Sequence, residues 1–160
     1  MALLAFALAC ADRTPGPETG NVPEPDRSTA PADVGGLALE ANVAVMESFP
    51  VQLTGTLRVE NPTQRTISFD VGGCPVFLRV YGSAKGEVVW DQGDGAICTM
   101  ILRTVTLEPG AVESFQTAGA GDILGEDLPD GTYRVAVYLA LVEGGQPEAV
   151  AGEVQLAVPR

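Results

Sequence analysis

From Leu37 onward, large apolar side chains recur at every second position along most of the chain. Leu37, Leu39, Ala41, Val43 and Val45 alternate with Ala38, Glu40, Asn42, Ala44 and Met46. Val51, Leu53, Gly55, Leu57 and Val59 alternate with Gln52, Thr54, Thr56, Arg58 and Glu60, and Tyr133, Val135, Val137, Leu139 and Leu141 with Thr132, Arg134, Ala136, Tyr138 and Ala140. A period of two sends successive side chains to opposite faces of an extended backbone, so these stretches predict strands with one face buried and one wet. Val150, Val154, Leu156 and Val158 predict the inner face of a last strand, and shorter strands are expected over 67–71, 76–81, 87–90, 100–107 and 112–117.

Turn chemistry separates them at short intervals. "NPT" at 61–63, "GSAKG" at 82–86, "EPG" at 108–110 and "PDG" at 129–131 combine residues that preset φ, tolerate a left-handed backbone or bond their own main chain. Many short strands with frequent turns and no amphipathic helix predict an antiparallel sandwich. Asp130-Gly131-Thr132-Tyr133, at the start of a strand, resembles the tyrosine corner of immunoglobulin-like domains, in which the phenol bonds backbone at a corner between sheets. The expected fold is therefore all-β, an immunoglobulin-like antiparallel β-sandwich over 37–160, and the role of Tyr133 in it is structural.

The first nine residues are all apolar. As a helix they span about 14 Å, too little for a hydrocarbon core of ~30 Å. They read as the end of a secretory hydrophobic segment with small Ala9 before the cut. "ALAC" at 7–10 resembles the bacterial lipobox, which implies a diacylglyceryl group on the Cys10 thiol, cleavage before it and acylation of the new amino group. A plain secretory signal, or an N-terminal strand with an incidental cysteine, are the alternatives. Residues 10–36 carry five prolines and almost nothing large and apolar, so they predict a disordered linker. About 25 such residues reach ~28 Å as flexible coil and up to ~75 Å as extended polyproline II, which holds a domain clear of a membrane. The expected location is the cell envelope, on an exported face, with the lipid as the sole membrane contact.

The formal charge of −12 changes the picture by exclusion. Nothing here neutralises a row of phosphates, so nucleic acid is not an expected partner. Nor is there a basic patch for anionic lipid head groups. The chain contains no histidine, which removes the commonest general base and the commonest transition-metal ligand. Ser48, Ser68, Ser83 and Ser114 thus lack the usual activating partner, and the acidic residues sit mostly in turns or on outward faces, where nothing pushes two carboxylate pKa values apart. No enzyme activity and no cofactor are expected.

With Cys10 set aside, Cys74 and Cys98 remain. An exported domain with an even number of thiols is expected to pair them. The competing states are two free buried thiols or, more weakly, a metal site with only two ligands.

Four segments in order carry a family resemblance: "LRVENPTQRTISFDV", "PVFLRVYGSAKGEVVWD", "TVTLEPGAVESF" and "LPDGTYRVAV". Together they are similar to the BsuPI-type intracellular proteinase inhibitor domain, in which an "NPT"-like turn, a "G–VVW" strand, an "LxPG" turn and a "GTYxV" strand recur. The match runs from Leu53 to about Leu141. It implies an immunoglobulin-like sandwich and a protein partner, a serine protease in the founding member. Asn61, Pro62, Trp90, Pro109, Gly110, Gly131 and Tyr133 read as scaffold, so no inhibitory residue is carried over. An exported chain with two further cysteines departs from the cytosolic setting in the family's name.

Two loops are candidate partner-binding surfaces, because long loops on a rigid sandwich are where binding concentrates. "DQGDGAIC" at 91–98 carries Asp91 and Asp94 and ends in a cysteine; it lacks the acidic spacing and closing glutamate of an EF-hand, so a pinned hairpin loop is the plainer reading. "GAGDILGEDLPDG" at 119–131 carries Asp122, Glu126, Asp127 and Asp130 and reads either as a contact surface or as a solvated acidic loop. Three functions compete: a tethered proteinase inhibitor, a non-inhibitory envelope interaction or structural module, and, least supported, a calcium-dependent binder.

Overall fold

The structure is a computed structural model and describes residues 34–46, 52–82, 86–117 and 128–156. Cys10, most of the expected linker, Val51, Val158 and the acidic residues Asp122, Glu126 and Asp127 lie outside the described residues. Val34–Gly36, expected to end the linker, instead form a 3-10 turn. Gly36 packs so closely on Thr63 and Ile67 that a Cβ there would lie 2.9 Å from Thr63 Cγ2.

Eight strands follow: β1 (Ala38–Met46), β2 (Gln52–Glu60), β3 (Ile67–Tyr81), β4 (Val88–Asp91), β5 (Arg103–Leu107), β6 (Val112–Gln116), β7 (Gly131–Leu141) and β8 (Glu148–Leu156). They form two antiparallel sheets, a three-stranded one ordered β1-β2-β6 and a five-stranded one ordered β4-β3-β7-β8, with β5 also paired to β3. The β3-β7-β8 ladder corresponds to the C-F-G strands of an immunoglobulin-like sandwich, and β1-β2-β6 to A-B-E.

The alternation that predicts the strands also selects the core. Leu53, Leu57 and Val59 from β2 meet Val71, Val76, Leu78 and Val80 from β3 and Val135, Val137 and Leu139 from β7, all within about 1% of complete burial. Each such side chain contributes about 1.5–3 kcal/mol through the water it sheds. Phe69, Val105, Leu107 and Phe115 close the ends of this layer.

Three expectations change on contact with the structure. The segments 67–71 and 76–81 are one 15-residue strand, β3, rather than two. Its pairing with β7 slips between Val71 and Val76, and the irregularity accommodates Pro75, which has no N–H to give to a ladder. The strand expected from Met100 begins only at Arg103. Val150 is 53% exposed instead of facing inward, while Ala149 and Ala151 pack on the core. Opposite Val135 and Ala136 the β8 register slips by one residue, and Gly152 takes φ 139°, so the phase of the strand inverts and Val154 returns to the core side.

The slip in β3 has a consequence for its other edge. β5 pairs with Ile67–Val71 and β4 with Arg79–Tyr81, both on the edge away from β7. The chain between them, 92–102, therefore has to pass beside the middle of β3.

The tyrosine corner is present. Tyr133 is buried and its hydroxyl donates to the Pro129 carbonyl at 2.6 Å. Tyr133→Phe, which removes the donor but little volume, is expected to lower stability by about 1 kcal/mol. Urea denaturation of the two proteins at equal slope checks this.

Candidate functional site

β4 ends at Asp91, and the turn that follows is built from that residue. The Asp91 carboxylate accepts from the Gly93 amide at 2.8 Å, from the Tyr138 hydroxyl at 2.9 Å and from Arg79 Nε at 2.8 Å. The Gln92 amide donates to the Leu78 carbonyl at 2.9 Å and the Gln92 side-chain oxygen accepts from the Leu78 amide at 3.0 Å, so β3 holds the turn through its backbone as well. Arg79 also reaches Glu148 at 3.0 Å and Gln146 at 2.7 Å, and its guanidinium lies 4.2 Å from the centre of the Tyr138 ring. Tyr81 donates to Glu148, and Arg134 covers the Tyr81 ring. Asp91 and Arg79 keep only 11% and 15% side-chain exposure, so this pair is far better shielded than an ordinary surface ion pair.

The cluster raises the pKa values of its arginine and of both its phenols. Burial works against the Arg79 charge, but the bonds to Asp91, Tyr81 and Glu148 outweigh it and raise the pKa above the ordinary arginine value. Burial, then the hydrogen bond to the Asp91 carboxylate, pushes the Tyr138 hydroxyl above the ordinary value of 10.0. Burial and Glu148 push Tyr81 upward too. A phenol whose folded pKa is raised contributes stability that is complete below its unfolded pKa and is lost as pH rises through the folded value. Ultraviolet titration should therefore show Tyr81 and Tyr138 ionising late in the native protein and normally in guanidinium, with stability falling above pH ~10. The late component should vanish in the Tyr81→Phe/Tyr138→Phe protein.

Beyond this base the chain turns at Gly95 and runs to Leu102 without pairing to any described strand. Ile97 and Met100 are fully exposed, and Ile101 and Leu102 are 64% and 62% exposed. Two attachments hold the segment against β3. Cys98 is bonded to Cys74, with Cα atoms 5.6 Å apart. The next residue, Thr99, lies directly on Gly73: a Cβ at position 73 would stand 2.5 Å from the Thr99 carbonyl oxygen and 3.0 Å from its amide nitrogen. The backbone can come this close because glycine leaves the space open.

The arrangement is a braced, extended loop on the edge of the larger sheet, apolar at its crest. Of the sequence candidates in this loop, Asp91 is an inward brace with its carboxylate occupied, and Asp94 is exposed at the turn. Met100, Ile101 and Leu102 escape a sequence reading that places 100–107 in a strand, while Ile97 falls in the candidate loop 91–98, whose carboxylates carry that reading. The signal is there nonetheless, since Met100-Ile101-Leu102 breaks the alternation with three large apolar residues in a row. Arg79, Tyr138 and Glu148 are missed because their partners are 12 to 69 residues away. Among the described residues, no helix is long and apolar enough to cross a membrane.

No protein-family model and no curated protein matches the chain. Solved structures that resemble it include a crystal structure of Northeast Structural Genomics Consortium target SoR45. The likeness covers 78% of this chain and 89% of that one, at 16% identity and a TM-score of 0.38.

Proposed function

We propose that this chain is a lipid-tethered, protein-binding β-sandwich, and that it acts as a proteinase inhibitor by placing the braced loop 96–102 in the cleft of a serine endopeptidase. One observation carries the reading: Ile97, Met100, Ile101 and Leu102 stand exposed on a segment held by the Cys74–Cys98 bond, by the seat of Thr99 on Gly73 and by the Asp91 turn. A run of large apolar side chains in water is a binding surface in waiting. Bracing it in advance reduces the ordering cost that a flexible peptide incurs on binding. The unpaired backbone of the loop suits the main-chain pairing by which endopeptidase clefts take extended chains. The resemblance to BsuPI-type domains supports the same class of partner. The lipid on Cys10 and the linker would hold this surface away from the membrane.

Purified domain added to a subtilisin-type endopeptidase at micromolar concentration should abolish activity stoichiometrically. Protein carrying Ile97→Ser, Met100→Ser and Ile101→Ser together should fold with unchanged stability, because these side chains are exposed, and should not inhibit. Absence of inhibition by the unaltered domain across serine endopeptidases rejects the inhibitor reading. Loop-dependent crosslinking to one envelope protein would then favour the non-inhibitory module. Mass spectrometry of the mature N-terminus tests the tether: diacylglyceryl on Cys10 supports it, and an unmodified Cys10 rejects it.

A further inference from the structure

We infer that Met100 is the side chain that enters the primary specificity pocket, so that the endopeptidase cleaves after large apolar residues that are not branched at Cβ. The inference rests on the inhibitor reading of the loop and adds to it the residue that selects the enzyme.

From Gly95 to Leu102 no side chain is charged. A pocket that holds a carboxylate to read lysine or arginine would find nothing here to pair with, and its desolvated charge would oppose binding. The choice lies among the exposed apolar residues. Ile97 and Ile101 are branched at Cβ, where two heavy atoms restrict χ1 and widen the stem. Methionine has a single γ carbon and three rotatable bonds, which let it thread a narrow mouth and settle in an irregular apolar space. Leu102 is partly covered and adjoins the first paired residue of β5, Arg103.

Bracing points to the same residue. Cys98 and Thr99 are fixed to β3 immediately before Met100, and β5 is fixed to β3 from Arg103 onward. Met100 is thus the fully exposed side chain with anchored backbone within a few residues on both sides. Ile97, equally exposed, follows the Gly93–Ala96 turn, whose closing bond from the Ala96 amide to the Gly93 carbonyl is 3.3 Å long. A specificity residue must be held by its neighbours while its own side chain stays free. Position 100 combines full exposure with the disulfide and Thr99 on one side, the paired start of β5 on the other, and a stem unbranched at Cβ, which Ile97 lacks.

The bond the enzyme would address is the peptide bond from Met100 to Ile101. Hydrolysis there adds the hydroxyl of one water to the Met100 carbonyl carbon and its proton to the Ile101 nitrogen. Both disulfide partners precede this bond, so the product that ends at Met100 and the product that begins at Ile101 are not covalently linked.

The test is inhibition by the full domain and three variants against a subtilisin-type enzyme and trypsin, with thermal melting and disulfide mass as folding controls. Met100→Arg should weaken inhibition of the first enzyme by about 100-fold or more and create inhibition of trypsin. Met100→Leu should change inhibition of the subtilisin-type enzyme by less than about tenfold, and Ile97→Arg, on the same crest, should weaken it at least about tenfold less than Met100→Arg does. Long incubation with catalytic enzyme should yield a single cut after Met100, seen as two bands on a denaturing gel without reductant. The assignment is overturned if folded Met100→Arg inhibits the subtilisin-type enzyme within threefold of the unaltered domain, or if the cut falls after another residue. Inhibition by the unaltered domain with no response at position 100 rejects this assignment alone, whereas no inhibition by the unaltered domain rejects the inhibitor reading with it.

Discussion

Asn61→Ala is expected to lower the unfolding free energy by about 3 kcal/mol. Asn61 is completely buried, and every polar atom of its side chain is used. Its Nδ2 donates to the carbonyls of Arg65 at 2.7 Å and Leu107 at 2.8 Å, while its Oδ1 accepts from the Thr63 amide at 3.0 Å and the Thr63 hydroxyl at 2.7 Å. Its backbone accepts from Gly110 at 2.7 Å and donates to Ala111 at 3.0 Å. One residue thus joins the β2–β3 turn to the β5–β6 turn, and so joins the two sheets. Alanine would leave the Leu107 carbonyl buried without that donor, and an orphaned buried group costs more than a typical bond returns. Asn61→Asp removes both donors and points a carboxylate at two carbonyls, so it should destabilise at least as much at neutral pH and recover in part in acid, where a protonated carboxyl donates once. Exposed Gln64→Ala, in the same turn, should stay within about 0.5 kcal/mol. A urea midpoint for Asn61→Ala equal to that of the Gln64 control would show that the turn reforms around water.

Asn61 also shows what local sequence carries. "NPT" announces a turn through chemistry contained in three residues, and the alternation of Leu53, Leu57 and Val59 announces a buried face through chemistry contained in one strand. Tyr133 is legible for the same reason, since its partner Pro129 is four residues away. Register is less legible. Gly152 inverts β8 in a way that depends on which β7 residue it faces, and Pro75 interrupts a ladder without ending the strand. The site is the least legible part. Its brace joins Arg79, Asp91, Tyr138 and Glu148, which come together only once β3, β4, β7 and β8 lie side by side, and a charged residue on an outward face reads as solvated until such neighbours are known. Cysteine chemistry is an intermediate case. The export-like N-terminus predicts that Cys74 and Cys98 pair, but that their bond holds an apolar crest is visible only with Gly73 beneath Thr99.

Removing that bond is expected to have two effects of different size and origin. The Cys74→Ala/Cys98→Ala protein should lose about 3.5 kcal/mol of stability on the chain-entropy account, because the 24-residue separation no longer restricts the unfolded chain. The native sheets should persist: Ile67–Val71 stays paired to β5, and Val76–Tyr81 to β7 and β4. The loop, by contrast, keeps only the Asp91 turn and the contact of Thr99 with Gly73. It becomes an open segment that must be ordered on binding, at about 0.5–1.5 kcal/mol for each immobilised side chain. On the inhibitor reading, four large side chains make that about 2–6 kcal/mol, a loss of about 30-fold to more than about 10⁴-fold in inhibition, measured under conditions where circular dichroism shows the sheets intact. Gly73→Ala separates the two effects. It leaves the disulfide and the unfolded-state restriction in place, but its Cβ meets the Thr99 backbone, so the loop must move. Stability should then fall by about 1–2 kcal/mol, less than the double cysteine variant loses, since Gly73 lies outside the core but the Thr99 backbone beside the disulfide must shift. Inhibition should nevertheless fall and hydrogen exchange over 95–102 should quicken, which would tie activity to the position of the crest rather than to the stability of the domain.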